Sequence, residues 1–186
     1  MRMGLYQDVI IAGFGGQGVL LIGNVLAFAS MQKGLQVTYM PVYGVEMRGG
    51  TANCTVVISE EEIGSPLVLH PRSLIIMNRP SLEKFQPRLQ DGCVQVVNTS
   101  MTDPSLLETG RIRSFPVPAN DLANELGSPK MANMVALGAW IEATRVLEAE
   151  QVMEGIPEAL GKSRKDLIEA NRRAMEAGAE QVRALA

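Results

Sequence analysis

The sequence predicts an α/β domain in which strands alternate with helices, and three observations carry that prediction. Asp8-Val9-Ile10-Ile11-Ala12 is a short apolar run of the kind that forms a buried strand. Gly13-Phe14-Gly15-Gly16-Gln17-Gly18 follows it directly, with the spacing G-x-G-x-x-G, and turns the chain into a helix. From Val19 to about Met31, Val19, Ile22, Leu26 and Ala29 recur at helical spacing, and Leu35 to Met40 then reads as a second strand. Strand, glycine turn, helix and strand imply parallel pairing through a right-handed crossover.

The glycine turn is the first functional candidate. Glycine takes positive φ and, lacking Cβ, lets another group approach the backbone. The unpaired N–H groups at the start of the following helix, with the helix dipole behind them, favour an anion. The turn therefore either binds a phosphate or only permits close strand-to-helix packing. A dinucleotide site also needs an acid at the end of the second strand to hold the ribose. Here that strand ends Tyr39-Met40-Pro41, and the first acid is Glu46, several residues into the next loop.

Composition narrows the classes further. A chain of 186 residues suits one domain and buries roughly 70% of its unfolded surface, enough for a core without staples. A net charge of −3 with no basic run argues against nucleic acid as a partner. Eleven methionines against 4% aromatic residues suit an adaptable core or a surface that packs on partners. Cys54 and Cys93 form no C-x-x-C pair, so the chain alone offers neither a cysteine-held iron–sulfur cluster nor a zinc knuckle. Both are expected as small buried hydrophobes in a reducing cytoplasm. No apolar run approaches the roughly 18 residues of a membrane span, and no signal peptide is expected.

The loop Pro41-Val42-Tyr43-Gly44-Val45-Glu46-Met47-Arg48-Gly49-Gly50 is the second candidate. It is long and rich in glycine, which points to function. Arg48 before two glycines sets a bidentate donor beside approachable backbone, suited to a carboxylate or phosphate. The alternative is a surface contact between Arg48 and Glu46.

The rest of the chain reads as follows. Thr51–Ser59 is a strand and Glu60-Glu61-Glu62 a solvated turn, with a break at Ile63-Gly64-Ser65-Pro66. His70, the one histidine, precedes Pro71 and lacks a nucleophile or acid nearby, so no catalytic role is expected. Ser73–Asn78 is a buried strand, followed by a short helix near Ser81–Leu89 interrupted by Pro87. Cys93–Val97 and Arg111–Val117 are further strands, and Asn120 or Asp121 caps a helix over Leu122–Leu126. Lys130 to about Glu148 is apolar nearly all round and should be buried. Asn133 on it either satisfies a backbone group, the favoured reading, or reaches a ligand. Glu150–Leu160, with Gly155 and Pro157, is expected to be broken or short. Ser163-Arg164-Lys165-Asp166 resembles a capping box opening a last helix, whose stripe Ile168, Asn171, Met175, Gly178, Val182 and Leu185 docks on the domain or another subunit. There is no Walker motif, no G-x-S-x-G elbow and no Gly-Asp-Gly of a thiamine diphosphate site.

Gly13-Phe14-Gly15-Gly16-Gln17-Gly18-Val19, together with Tyr43-Gly44-Val45-Glu46-Met47-Arg48-Gly49-Gly50-Thr51-Ala52-Asn53-Cys54, resembles the gamma subunits of 2-oxoacid:ferredoxin oxidoreductases. Ile63–Pro66 and Asn133-Met134-Val135-Ala136-Leu137-Gly138 extend the resemblance, which runs to about residue 150. The wording around Glu46 and Arg48 is more similar to 2-oxoglutarate or branched-chain members than to pyruvate members, and Val45 stands where many relatives have Pro. The resemblance implies a three-layer, Rossmann-like domain with a mixed, largely parallel central sheet. Residues 1–186 would be one gamma-subunit domain, with 150–186 a helical C-terminal extension. It implies a subunit of a cytoplasmic oxidoreductase, inactive alone. That enzyme converts a 2-oxoacid (2-oxoglutarate in the preferred reading), coenzyme A and oxidised ferredoxin to acyl-CoA, CO2 and reduced ferredoxin. Thiamine diphosphate, Mg and iron–sulfur clusters would lie on the alpha, beta and ferredoxin-like delta subunits, with no membrane partner. The implied residues for coenzyme A are Gly13, Gly15, Gly16, Gln17, Gly18, Tyr43, Glu46, Arg48, Gly49, Gly50 and Asn133; none is catalytic and none binds a metal. Two alternatives remain open: an indolepyruvate:ferredoxin oxidoreductase subunit, and a free-standing nucleotide-binding or regulatory domain.

Overall fold

The computed structural model describes residues 4–43, 51–160 and 165–185. Six strands form one sheet: β1 (Tyr6–Phe14), β2 (Gln36–Tyr43), β3 (Thr51–Ser59), β4 (Ser73–Ile76), β5 (Val94–Asn98) and β6 (Arg113–Val117). Their order is β2-β3-β1-β4-β5-β6. β1, β4, β5 and β6 run parallel, while β3 is antiparallel to both β1 and β2. Six helices accompany them: α1 (Val19–Gln32), α2 (Arg79–Phe85), α3 (Ala119–Glu125), α4 (Ala132–Thr144), α5 (Ala149–Leu160) and α6 (Lys165–Leu185).

The expected pairing of the first two strands does not occur. β2 does run parallel to β1, but β3 lies between them. The physical reason is burial. Residues from Cys54 to Ser59 are buried on both faces of β3, as suits an interior strand. β2 contains Pro41, which has no N–H to give a ladder, and so belongs at the edge.

Two apolar clusters flank the sheet, giving three layers. The larger joins Val9, Ile11, Cys54, Val56 and Ile58 to helices α1, α3, α4, α5 and α6. The smaller packs Leu82, Phe85 and Leu89 of the α2 region on Ile10, Ala12, Leu74 and Ile76. α4 is buried along nearly its whole length, as its all-round apolar sequence predicts. Its Trp140 is fully buried and donates from Nε1 to Ser73 Oγ at 2.9 Å.

Several boundaries differ from the sequence reading. α1 stops at Lys33-Gly34 as expected, with Gly34 at φ 77°. α2 begins at Arg79 because Asn78 caps it, accepting from Ser81 N at 3.0 Å, and a 3-10 turn at Gln86–Arg88 replaces its expected end. β6 starts at Arg113 rather than Arg111, whose side chain instead reaches Glu108 and Leu89 O. Neither Asn120 nor Asp121 caps α3. The cap position is Pro118, and both side chains are drawn to the end of β5, Asn120 by Asn98 and Asp121 by Ser100. α4 ends at Thr144, not near Glu148, because Arg145 adopts φ 52°. α5 is one continuous helix despite Pro157, held on α1 where Gly155 meets Val25 and Ala29. The capping box at Ser163 and Arg164 lies outside the described residues.

The last helix docks on the domain by near contact of backbones. A Cβ on Gly138 of α4 would lie 2.0 Å from Met175 O, and one on Gly178 of α6 would lie 1.9 Å from Val135 O. Gly138→Ala is therefore expected to lose at least about 3 kcal/mol of stability, because backbone rather than a flexible side chain must move. Gly64→Ala, which enters open space, should stay within about 0.5 kcal/mol of the parent in the same denaturant titration. Equal stability of the two variants would show that the helices separate without cost.

At the opposite end of β1, Asp8 is buried and accepts from Arg72 N at 2.7 Å. Burial raises its pKa above the usual carboxylate range, outweighing the hydrogen bonds from Arg72 and Tyr6 and the Arg72 charge. A folded-state pKa above the unfolded one means that stability is highest in acid and is lost as pH rises through the folded value. Asp8→Asn keeps the acceptor and removes the charge. Its stability relative to the parent should improve as pH rises from the acid range towards neutrality; a pH-independent difference would contradict the assignment.

Candidate functional site

The described functional candidates from Gly13 to Gly18, with Asn133 against them, lie at the C-terminal edge of the parallel strands. β1 leads into α1 on one face of the sheet, and its neighbour β4 leads into α2 on the other. Crevices at such reversals in open α/β sheets are where ligands bind. Phe14 ends β1, Gly16 lies at φ 96° and Gly18 at φ 74°, the latter as the residue preceding α1. Positive φ at Gly18 brings its carbonyl to Ile22 N at 3.2 Å and to Asn133 Nδ2 at 3.3 Å. The N–H groups of Val19, Leu20 and Leu21 precede the first intrahelical bond and have no acceptor in α1. The first turn of α1 carries no acidic side chain, which leaves the positive end of its dipole favourable to an anion.

Side-chain amides weld this turn to the next two strands. Gln17 folds back, and its Oε1 accepts from Phe14 N at 2.6 Å and from Asn78 Nδ2 at 3.0 Å. Its Nε2 donates to Met77 O at 3.2 Å. The same carbonyl accepts from Asn98 Nδ2 at 3.2 Å. Asn98, fully buried, also donates to Asn120 Oδ1 at 2.7 Å and accepts from Ala119 N at 3.1 Å. The network thus spans the ends of β1, β4 and β5 and the start of α3. Being built of amides, it holds its geometry across the physiological pH range.

These contacts sort the sequence candidates. Gly13 sits inside β1, where a Cβ would meet Gln17 Oε1 at 2.7 Å and Met77 Cβ at 2.9 Å. Gly15, Gly16 and Gly18 present backbone. Gln17 is committed to the protein by its side chain and by its main-chain N–H, which donates to Phe14 O at 3.1 Å. Asn133 lies against the turn and donates to the Gly18 carbonyl, with its Oδ1 accepting from Met134 N at 2.9 Å. Tyr43 ends β2 beside Ala52, which pairs with Gly13, so the strand ends flanking the Arg/Gly loop reach the same edge. Gly44, Glu46, Arg48, Gly49 and Gly50 lie outside the described residues. Sequence reasoning missed Asn78, Asn98 and Asn120 as a network. Its signal was available: an Asn directly follows the buried run Leu74–Met77, and another ends Val94–Asn98.

Other candidates fall away. Cys54 is buried under α1, and burial pushes its thiol up to about 12. His70 is exposed, with Nδ1 3.3 Å from Arg88 O. No cluster of His, Cys, Asp and Glu fit for a metal occurs among the described residues. A cleft of about 170 Å³ between α4, α5 and α6 is rimmed by Glu142, Arg145, Arg172 and Arg183, whose charges are paired in ion pairs, so it makes no demand for a ligand. The neighbour of β1 on its left is the antiparallel β3, so no acid-bearing parallel strand stands where a dinucleotide ribose would need it.

Fold and site together define an α/β domain with a glycine turn between β1 and α1 at its switch point. Residues 8–181 match the family described as pyruvate ferredoxin/flavodoxin oxidoreductase. The chain is 40% identical over 176 residues to ketoisovalerate oxidoreductase subunit VorA of Methanothermobacter thermautotrophicus, covering 94% of this chain and 36% of that one. It is 36% identical over 184 residues to 2-oxoglutarate synthase subunit KorC of Methanothermobacter marburgensis, covering 95% of this chain and 96% of that one. The chain thus spans about a third of the VorA relatives and nearly all of the Methanothermobacter KorC ones. Among solved structures, a keto/oxoacid ferredoxin oxidoreductase gamma subunit from Geobacter sulfurreducens superposes with a TM-score of 0.82 at 26% identity, covering 97% of this chain and 98% of that one. The 2-oxoglutarate:ferredoxin oxidoreductase of Magnetococcus marinus, solved with 2-oxoglutarate, coenzyme A and succinyl-CoA bound, gives 0.85 at 25%, covering 97% and 32%. The chain belongs to the pyruvate ferredoxin/flavodoxin oxidoreductase family, and the resemblance read from its motifs is borne out.

The contact between Gly18 and Asn133 is testable. A Cβ on Gly18 would lie 2.3 Å from Asn133 Nδ2, in addition to the strain of positive φ. Gly18→Ala should cost about 1–3 kcal/mol, and less in an Asn133→Ala background than alone. Additive losses in the double-mutant cycle would show that the two residues do not press on each other.

Proposed function

We propose that the chain is the gamma subunit of a 2-oxoacid:ferredoxin oxidoreductase. The enzyme would oxidatively decarboxylate a 2-oxoacid with coenzyme A, giving acyl-CoA and CO2 and passing electrons to ferredoxin. The observation that carries the reading is the end-to-end match with KorC, 95% of this chain on 96% of that one. The substrate class is a 2-oxoacid; the KorC relatives are named for 2-oxoglutarate and the VorA relatives for ketoisovalerate. The site supports the division of labour. Two cysteines in the whole sequence, one of them Cys54 held as a buried thiol, cannot supply the four thiolates of a cluster. Thiamine diphosphate, Mg and the clusters therefore belong, in this proposal, to the alpha, beta and delta subunits of a cytoplasmic complex.

Coenzyme A is the ligand this chain's own residues fit. Its phosphates suit the free N–H groups at the start of α1 and the glycine backbone before it. Gln17 and Asn133 hold that backbone in place, acting as positioning residues. Arg48, with Tyr43, Glu46, Gly49 and Gly50, is proposed as the second phosphate contact, because its loop joins strand ends that reach the same edge.

The test is steady-state kinetics of the assembled enzyme with 2-oxoglutarate and with ketoisovalerate, following ferredoxin reduction and acyl-CoA formation. One of the two acids should be turned over and the isolated chain should be inactive. Arg48→Ala should weaken coenzyme A by about 10–100-fold, the loss of a charge-assisted contact. Unchanged affinity and rate would remove Arg48 from the site, and turnover of neither acid would overturn the proposed activity.

A further inference from the structure

The connection from β3 to β4 contains Ile63-Gly64-Ser65-Pro66, a motif with no part in the site. Just after it, Leu67 and Leu69 are 68% and 74% exposed, the two most exposed large apolar side chains among the described residues. Val68 between them is half-buried, so the strap alternates out, in, out. Scattered exposed leucines need no explanation. These two differ because the backbone that carries them is fixed. Arg88 donates from Nη2 to Val68 O at 2.6 Å and from Nε to Leu69 O at 2.9 Å. Leu67 N donates to Ser65 Oγ at 3.1 Å. Pro66 and Pro71 bracket the segment, and the Arg88 guanidinium rests over Phe85, 5.5 Å from the ring centre. A guanidinium fork spent on two consecutive carbonyls holds the backbone that presents both leucines to water. A surface held in this way avoids the ordering cost that a loose loop pays on association.

Charge and chain length indicate what covers it. Glu61 and Glu62, on the same connection, are exposed and form no ion pair among the described residues. A partner here needs an apolar socket with Lys or Arg at its rim. The VorA relatives contain the matched stretch as 36% of a longer chain, whereas KorC is matched over 96% of its length. The same domain therefore occurs both joined to further protein and separate from it. In the separate form only its surface can keep it attached.

We infer that the Leu67–Leu69 strap is a preformed apolar plug that seats in a basic-rimmed socket on a larger subunit of the oxidoreductase. This rests on the gamma-subunit reading above. The experiment co-expresses the chain with the remaining subunits of its enzyme and measures assembly by native mass spectrometry and by titration. Leu67→Ser/Leu69→Ser should keep the circular dichroism and melting temperature of the isolated chain, because both residues lie in water, and should bind its partners at least about tenfold more weakly. Glu61→Lys/Glu62→Lys should bind more weakly at low salt and lose much of the parent's salt dependence. Parent-like affinity of the leucine variant overturns the plug. Parent-like salt dependence of the charge variant overturns the basic rim. A homodimer of the isolated chain that the leucine substitutions dissolve overturns the choice of partner in favour of a second copy. Failure of the parent itself to assemble overturns the gamma-subunit reading, and the plug with it.

Discussion

The side-chain amide of Gln17 ties the end of β1 to the end of β4, and the geometry of the switch point depends on it. Its oxygen holds Phe14 N and Asn78, and its nitrogen holds the carbonyl of Met77. Gly13 makes the approach possible, since any Cβ there would occupy the space of the Gln17 oxygen. Buried polar groups left unpaired are costly, and Asn78 and Asn98 extend the pairing along the strand ends. The turn that leads into α1 is thereby fixed to the ends of β1 and β4.

The same economy explains how a chain with one histidine and two cysteines contributes to an enzyme. In the proposed enzyme its described residues would supply shape, backbone donors and a helix dipole for binding, and covalent and redox chemistry would fall to other polypeptides. The sheet is organised to match. β3 enters between β1 and β2, so the strand ends on both sides of the Arg/Gly segment arrive beside Gly13. A simple parallel β1–β2 pair would have put Tyr43 directly against the end of β1 and left Thr51 elsewhere.

Much of this architecture was legible in the sequence. The strands at Asp8–Ala12, Thr51–Ser59 and Ser73–Asn78, the last overrunning β4 by two residues, and the helix after Gly18 are strong local patterns, and the motif set around Gly13 and Arg48 pointed to the family. The insertion of β3 was not legible, because strand order is decided by which strand can be buried on both faces, a tertiary property. The cap at Asn78 and the displaced roles of Asn120 and Asp121 were missed for a related reason. A short polar side chain can cap its own helix or bridge to another strand, and only the fold shows which partner is in reach. α5 kept Pro157 because packing of Val152, Met153 and Ile156 outweighs one lost helix bond. Asn133 was found as a buried amide on an apolar helix, and the fold shows that its reach ends at the Gly18 carbonyl.

We propose that the N–H groups of Val19, Leu20 and Leu21, with the glycine backbone before them, receive the phosphates of coenzyme A in the assembled enzyme. Amide hydrogen exchange of the complex, read by peptide mass with and without coenzyme A, addresses those N–H groups themselves. Addition of coenzyme A should slow exchange in the peptide spanning Gly15–Leu21 and leave β4 and β5 unchanged, because their bonds are already made. Unaltered exchange across Gly15–Leu21, with protection confined to other subunits, would contradict it.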